Sequence, residues 1–308
     1  MKQVDFRVAT DTDECKKLWE EFSPRLVIDD EWDFRDIWTK AYDFPFHFIV
    51  GSIGTDNVGL LPLQLNTGKG LGAVHLHMPG SFLEFFGGID IDDSRVLVKP
   101  GYEEIIPQLL DQIDLSAALT YLQEPYQIKG HSAEFMLDRF ALQLDQLNDF
   151  SDFMQNNLDG KSRQRLINRI NKIEREYKVT VRKGTDEDLE KLFQLSIDRF
   201  GERSSFNMPE RKQVFRDFVK RFDTDLFTIE IDGEIKAVSL AIMYNHIYTT
   251  LSIGYDISVR DLSKYLIVQQ MKRALEFKCK TFDAGKGDNG WKSHFNFQKI
   301  PQYKIILP

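Results

Sequence analysis

The chain has 308 residues, 42% of them hydrophobic and 29% charged, a composition expected of a folded water-soluble protein and a length that suits two domains. No apolar run approaches the ~18 residues of a membrane-spanning helix. Residues 1–14 are polar and acidic, with no apolar signal core, and Cys15 and Cys279 are too few for a disulfide framework or a cysteine metal cluster. A reducing cytoplasm is the expected location. The net charge of -8 conceals an asymmetry: residues 1–150 hold 12 basic and 26 acidic side chains (-14), the rest 28 and 22 (+6). The second half is therefore the better place for an anionic ligand.

Phe6-Arg7-Val8 reads as a short strand, with Thr10 a helix N-cap and Leu18 and Phe22 at helical spacing beyond it. Two apolar strands around Gly54-Thr55-Asp56-Asn57 read as a hairpin. A further strand is expected at residues 73–78, which would set His75 and His77 on one face. No third ligand is evident, and no metal site is expected. After Pro79-Gly80 come Phe82, Phe85, Phe86, Gly87 and Gly88, read either as core or as a loop over a substrate cleft. A helix over residues 102–113 and a strand over 119–122 complete the half.

Residues 150–178 carry seven basic side chains from Lys161 to Lys178 against Glu174 and Glu176, with Leu166, Ile170, Ile173 and Tyr177 at helical spacing. The pattern predicts an amphipathic helix with a basic face that bridges the halves. Beyond it the first half is echoed. Arg7, Thr10, Asp11 and Asp13 match Arg182, Thr185, Asp186 and Asp188 at an offset of 175, with Thr185 as the second N-cap. The strand of Val58, Leu60, Leu61, Leu63 and Leu65 matches Ile235, Ala237, Val238, Leu240 and Ile242 at an offset of 177. Another strand (247–254), a helix (262–277) and a short strand (281–283) follow. The order of elements is the same twice. It predicts an α+β chain of two tandem units, 1–149 and 150–308, each a mixed, mainly antiparallel sheet flanked by helices and joined by the basic helix.

Several short motifs occur in order. They are Gly59-Leu60-Leu61-Pro62-Leu63, Lys161-Ser162-Arg163-Gln164-Arg165, Asp198-Arg199-Phe200-Gly201 with Ser205-Phe206, Gly254-Tyr255-Asp256, and Phe282-Asp283-Ala284-Gly285-Lys286-Gly287 with Trp291-Lys292 and Phe295. Together they resemble the tandem GNAT-fold acyltransferases of the CelD/BcsL type, with the Fem-type aminoacyl-tRNA-dependent transferases as more distant relatives. The resemblance implies transfer of an acyl group from acyl-CoA, acetyl-CoA first, to a small amine acceptor such as an amino sugar of a surface polysaccharide or glycolipid. An aminoacyl-tRNA-dependent amide-forming transferase, with tRNA as partner, and a non-catalytic module of the same fold are the alternatives. The first unit would shape the acceptor side and the second would bind the donor and carry the chemistry.

The resemblance places the donor phosphates at the start of the helix at 262, on Arg260, Ser263, Lys264 and Tyr265, with Ile253 on the preceding strand and Lys286 as further contacts. The family's glycines are missing there, and Asp261 stands where a phosphate would be repelled. Backbone N–H groups of the strand 247–254 would meet the oxyanion. Asp283, Lys292 and His294 are the candidate acid–base groups, with Tyr255 (or Tyr265) as the proton donor to the leaving thiolate. Arg199 would hold an acidic substrate group, and Phe85 and Phe86 would cover the acceptor.

Overall fold

The computed structural model describes residues 3–288, 290 and 292–307. It divides into two compact units. One runs up to Asp138 and resumes at Pro301; the other is Arg139–Ile300.

The first unit contains β1 (Asp5–Ala9), α1 (Thr12–Phe22), α2 (Trp32–Tyr42), β2 (Phe46–Ile53), β3 (Asp56–Asn66), α3 (Gly70–Leu76), β4 (Phe82–Phe85), β5 (Leu97–Val98), α4 (Ile106–Asp111) and β6 (Ala117–Leu122). A small hairpin of β7 (Gln127–Ile128) and β8 (His131–Ser132) follows. Strands β1 to β4 pair antiparallel in sequence order, β4 pairs parallel with β6 at Leu83 and Ala117, and residues 303–307 close the sheet beyond β6. Its core joins Ile49, Leu61, Leu83 and Phe85 to Leu109 of α4, and Trp19, Trp32, Phe48 and Phe86 on the other side.

The boundary crosses β9 (Glu134–Gln143). The second unit continues with α5 (Phe150–Asn157), α6 (Gly160–Glu176), β10 (Val179–Lys183), α7 (Asp186–Phe200), α8 (Pro209–Arg221), β11 (Thr224–Ile231), β12 (Glu234–Tyr244), β13 (Ile247–Tyr255), α9 (Leu262–Glu276) and β14 (Thr281–Lys286). The last strand, β15 (Gln298–Leu307), returns to the first unit. Strands β10 to β13 pair antiparallel in order, β13 pairs parallel with β14, and the end of β9 closes the sheet. Strand order and the single parallel step thus recur, which is the duplication expected from the sequence. The matched arginines differ in partner: Arg182 bridges Asp188 at 2.6 Å, whereas Arg7 bridges Glu14, one residue beyond the counterpart Asp13, also at 2.6 Å.

The two compact units meet in the chain at residues 138/139 and 300/301, because each sheet is closed by a strand whose sequence neighbours lie in the other unit. The basic amphipathic helix is α6: Asp149 and Asp159 each cap a helix start, so the short α5 precedes it, and α6 buries Leu166 and Ile173. Two local expectations are corrected. Residues 73–78 do not form a strand. Asn66 Oδ1 accepts from the N–H groups of Gly68 and Lys69 and turns the chain into α3, so His75 ends a helix and His77 caps it at φ 52°. The strand of that position is β4 instead, whose phenylalanines are core. At α1 the N-cap is Asp11, not Thr10, whereas Thr185 does cap α7, with Asp188 accepting from its N–H at 2.8 Å.

Candidate active site

Strands β13 and β14 are hydrogen-bonded only through Ile247–Thr281, Tyr248–Phe282 and Thr249–Asp283, after which both continue unpaired with each other. A bulge helps to open them: Leu240 faces Ser252 while its neighbour Ala241 faces Thr250, leaving Leu251 as the extra residue on β13. Tyr248 and Thr249 are buried, whereas residues 250–253 are half-buried. A cleft therefore begins where the parallel pairing ends.

A cavity of about 350 Å³ lies at this opening. Its floor is apolar, from Leu158, Leu166, Ile253, Ile267 and Phe295. Its rim is cationic and hydroxylic: Ser162, Arg165 and Arg169 from α6, Arg199 from α7, Ser263 and Lys264 from α9, with Tyr255, Gly290 and His294 completing the wall. Among the described residues, no carboxylate side chain lines it. Helix α9 opens here, and the N–H groups of a helix's first turn carry partial positive charge.

Asp261 stands just behind this rim. It caps α9 in the left-handed region at φ 64°, and its carboxylate lies 3.4 Å from Lys264 Nζ, 3.6 Å from Arg169 Nε and 3.7 Å from Arg260 Nε. It partly neutralises two of the lining cations without entering the cavity.

The cavity gathers six of the residues proposed from the sequence: Arg199, Ile253, Tyr255, Ser263, Lys264 and His294. The others lie elsewhere. Asp283 is 2% exposed and is committed: Arg139 Nε and Nη2 both donate to Oδ2, and the Gly285 N–H donates to Oδ1 at 2.9 Å. Lys292, 3% exposed, donates to the carbonyls of Gly285 and Lys286 at 2.9 and 3.0 Å and lies 5.0 Å from the Phe140 ring centre. It pins the loop after β14 rather than facing a substrate. Tyr265 is turned into the core, with its hydroxyl donating to Glu174 at 3.1 Å; burial and that carboxylate raise the phenol well above its usual range. Neither Lys286 nor Arg260 lines the cavity, and the Arg260 side chain is 84% exposed. Phe85 and Phe86 are wholly buried in the first unit's core and offer no surface to a substrate. Trp291 lies outside the described residues.

Ser162, Arg165 and Arg169 were not singled out as site residues. Their spacing of three and four residues puts them on one side of α6, next to the apolar stripe that buries Leu166. That adjacency, rather than the number of basic residues, was the signal.

A mixed sheet that splits over a helix N-terminus, with a cationic cavity in the split, is the architecture of a GNAT domain. Residues 160–293 match the family described as "Acetyltransferase (GNAT) domain". The fold of the whole chain is shared with solved structures at low identity. A tandem GNAT protein from the clavulanic acid biosynthesis pathway aligns with a TM-score of 0.57 and 11% identity, over 99% of this chain and 98% of that one. FemX aligns with a TM-score of 0.60 and 11% identity, over 98% and 97%. L-PGS from Bacillus licheniformis aligns with a TM-score of 0.55 and 13% identity, over 97% and 92%. No curated protein matches the sequence. Among the described residues, no helix is long and apolar enough to cross a membrane.

Proposed function

We propose that this chain is an N-acyltransferase whose second unit binds an acyl-CoA, with acetyl-CoA as the first candidate, and passes the acyl group to an amine. The carrying observation is the cationic cavity at the point where β13 and β14 part, over the start of α9. Its volume falls in the ~300–1,000 Å³ range of ligand pockets. Its chemistry fits the donor: Arg165, Arg169 and Lys264 suit phosphate oxygens, and Ile253, Ile267 and Phe295 suit an aliphatic arm. Asp261 weakens that fit without removing it.

Bound there, the thioester would supply an activated acyl group. The chain's own part is to align it and to move protons. The N–H groups of the half-buried stretch 250–253 are the donors for a developing oxyanion. His294, on the cavity wall, is the group placed to take a proton from the amine, and Tyr255 is placed to return one to the thiolate. Asp283 and Lys292 take no part. The CelD/BcsL-type resemblance supports an amino sugar as acceptor.

An aminoacyl-tRNA-dependent reaction is the second reading. It is favoured by the basic residues of α6 and by the glycine-free, Asp261-capped start of α9. Thermal-shift titration of the full chain with acetyl-CoA and with bulk tRNA, each at two ionic strengths, separates the two. A ligand at 100 times its Kd adds about 2.7 kcal/mol. The donor reading expects stabilisation by acetyl-CoA that Arg169→Ala and Lys264→Ala reduce. Stabilisation by tRNA alone, collapsing steeply with salt, would establish the second reading. No response to either would leave a binding module.

A further inference from the structure

A second cavity, of about 610 Å³, lies in the same unit, between one face of α7, the β11–β12 turn and the end of β13. It shares two lining residues with the first, Arg199 and Tyr255. A two-substrate transferase needs two binding spaces that meet at the reacting atoms, and this pair of side chains is where the two spaces meet. The Arg199 guanidinium lies 4.4 Å from the Tyr255 ring centre and 4.6 Å from that of Phe200, so its plane is fixed by stacking while its N–H edge stays available. Among the described residues it has no ion-pair partner, and neither does Lys191, two turns earlier on the same face of α7.

The charges lining this second cavity balance. Lys236 is taken up by Glu234 at 2.9 Å and Asp256 at 3.1 Å. Among the described residues that leaves Arg199 and Lys191 as cations without an ion pair, and Asp198 as a carboxylate that accepts only from the Gln194 amide, at 2.7 Å. A site presenting both unsatisfied signs suits a ligand that carries both.

We propose that this second cavity receives the acceptor, and that the acceptor is a zwitterionic amine. Its carboxylate or phosphate is held by Arg199 and Lys191, its ammonium is drawn toward Asp198, and its nitrogen is delivered to the wall at Tyr255. This rests on the acyltransferase reading and deepens it by naming the acceptor's charge.

The test uses the full chain and matched amines with and without the anion: glucosamine against glucosamine 6-phosphate, ethanolamine against phosphoethanolamine, and serinamide against serine. Binding is followed by calorimetry in the presence of coenzyme A. The anionic members should bind at least about tenfold more tightly, since charge-assisted hydrogen bonds are being added. Arg199→Ala should erase the difference and Arg199→Lys should restore part of it. Lys191→Ala, which lines only the second cavity, should weaken the anionic amines and leave acetyl-CoA affinity unchanged. Equal binding within every pair, binding of no pair at all, or indifference to Lys191→Ala would each overturn the proposal. If the pairs discriminate as expected but acetyl-CoA does not bind, the cavity assignment stands and the donor reading falls.

Discussion

Arg139 and Asp283 form a buried ion pair across neighbouring antiparallel strands, with Arg139 Nε 3.1 Å from Asp283 Oδ2 and exposures of 7% and 2%. A carboxylate at a strand end before two glycines has the position of a catalytic acid. Here it is occupied by its partner and by the Gly285 N–H. Removing one member of a buried pair leaves the other uncompensated, at a cost of about 3–5 kcal/mol. Arg139→Met and Asp283→Asn are expected to lower the urea midpoint by similar amounts, and the double variant to lose less than the sum. Any Asp283→Asn protein that stays folded should still bind donor and turn over; loss of turnover with unchanged stability would return Asp283 to the site.

Glu84 sits on β4 in the first unit, 2% exposed, with its Oε1 accepting from Gln64 Nε2 and Asn66 Nδ2 at 3.0 Å each. Burial pushes its carboxyl up to about 7, against the two hydrogen bonds that lower it. The folded state therefore holds this proton more tightly than the unfolded state does. Stability from this group is full below the unfolded value near 4.5 and is lost as pH rises toward 7, by about 3 kcal/mol in all. Urea titrations between pH 4.5 and pH 8 should show this decline, and Glu84→Gln should flatten it. An unchanged slope in the variant would assign the decline to other groups.

Gly254 lies where β13 passes under α7. A Cβ there would stand 2.7 Å from the Leu192 carbonyl oxygen and 3.0 Å from Leu195 Cβ. The nearest obstacle is backbone, which cannot rotate aside, so Gly254→Ala must lift α7. Overpacking of this kind costs about 1–3 kcal/mol. Because Arg199 follows Leu195 by one helical turn, the variant should lose ligand affinity as well as thermal stability. Retention of both would show that α7 yields more easily than its packing indicates.

Asp261 restrains two lining cations and holds a left-handed backbone that glycine adopts without a Cβ penalty. Asp261→Gly releases Arg169 and Lys264 and relieves about 1 kcal/mol of backbone strain. Calorimetry with coenzyme A should show affinity rising severalfold, with folding stability raised by no more than about 1 kcal/mol. A weaker complex would mean that Asp261 orients those cations for the ligand rather than competing with it.

The sequence by itself determined the duplication. Apolar periodicity and the Arg7/Arg182 and Asp13/Asp188 correspondences are local, and local patterns specify elements and their order. It also indicated the second half as the cationic one, and it placed Tyr255, Ser263, Lys264 and His294 in motifs that the fold brings to one cavity. Only the tertiary structure decided which charged groups are free. Asp283 and Lys292 look reactive in a motif, but besides backbone groups of their own loop each meets a side chain about 140–150 residues away in the chain, Arg139 and the ring of Phe140 respectively. Burial of Phe85 and Phe86 was likewise set by core neighbours that no short window contains. The same holds for α6, whose arginines reach the cavity because Leu166 and Ile173 anchor it on the sheet. Periodicity marks the buried stripe, whereas the neighbours of each charge are fixed by long-range packing alone.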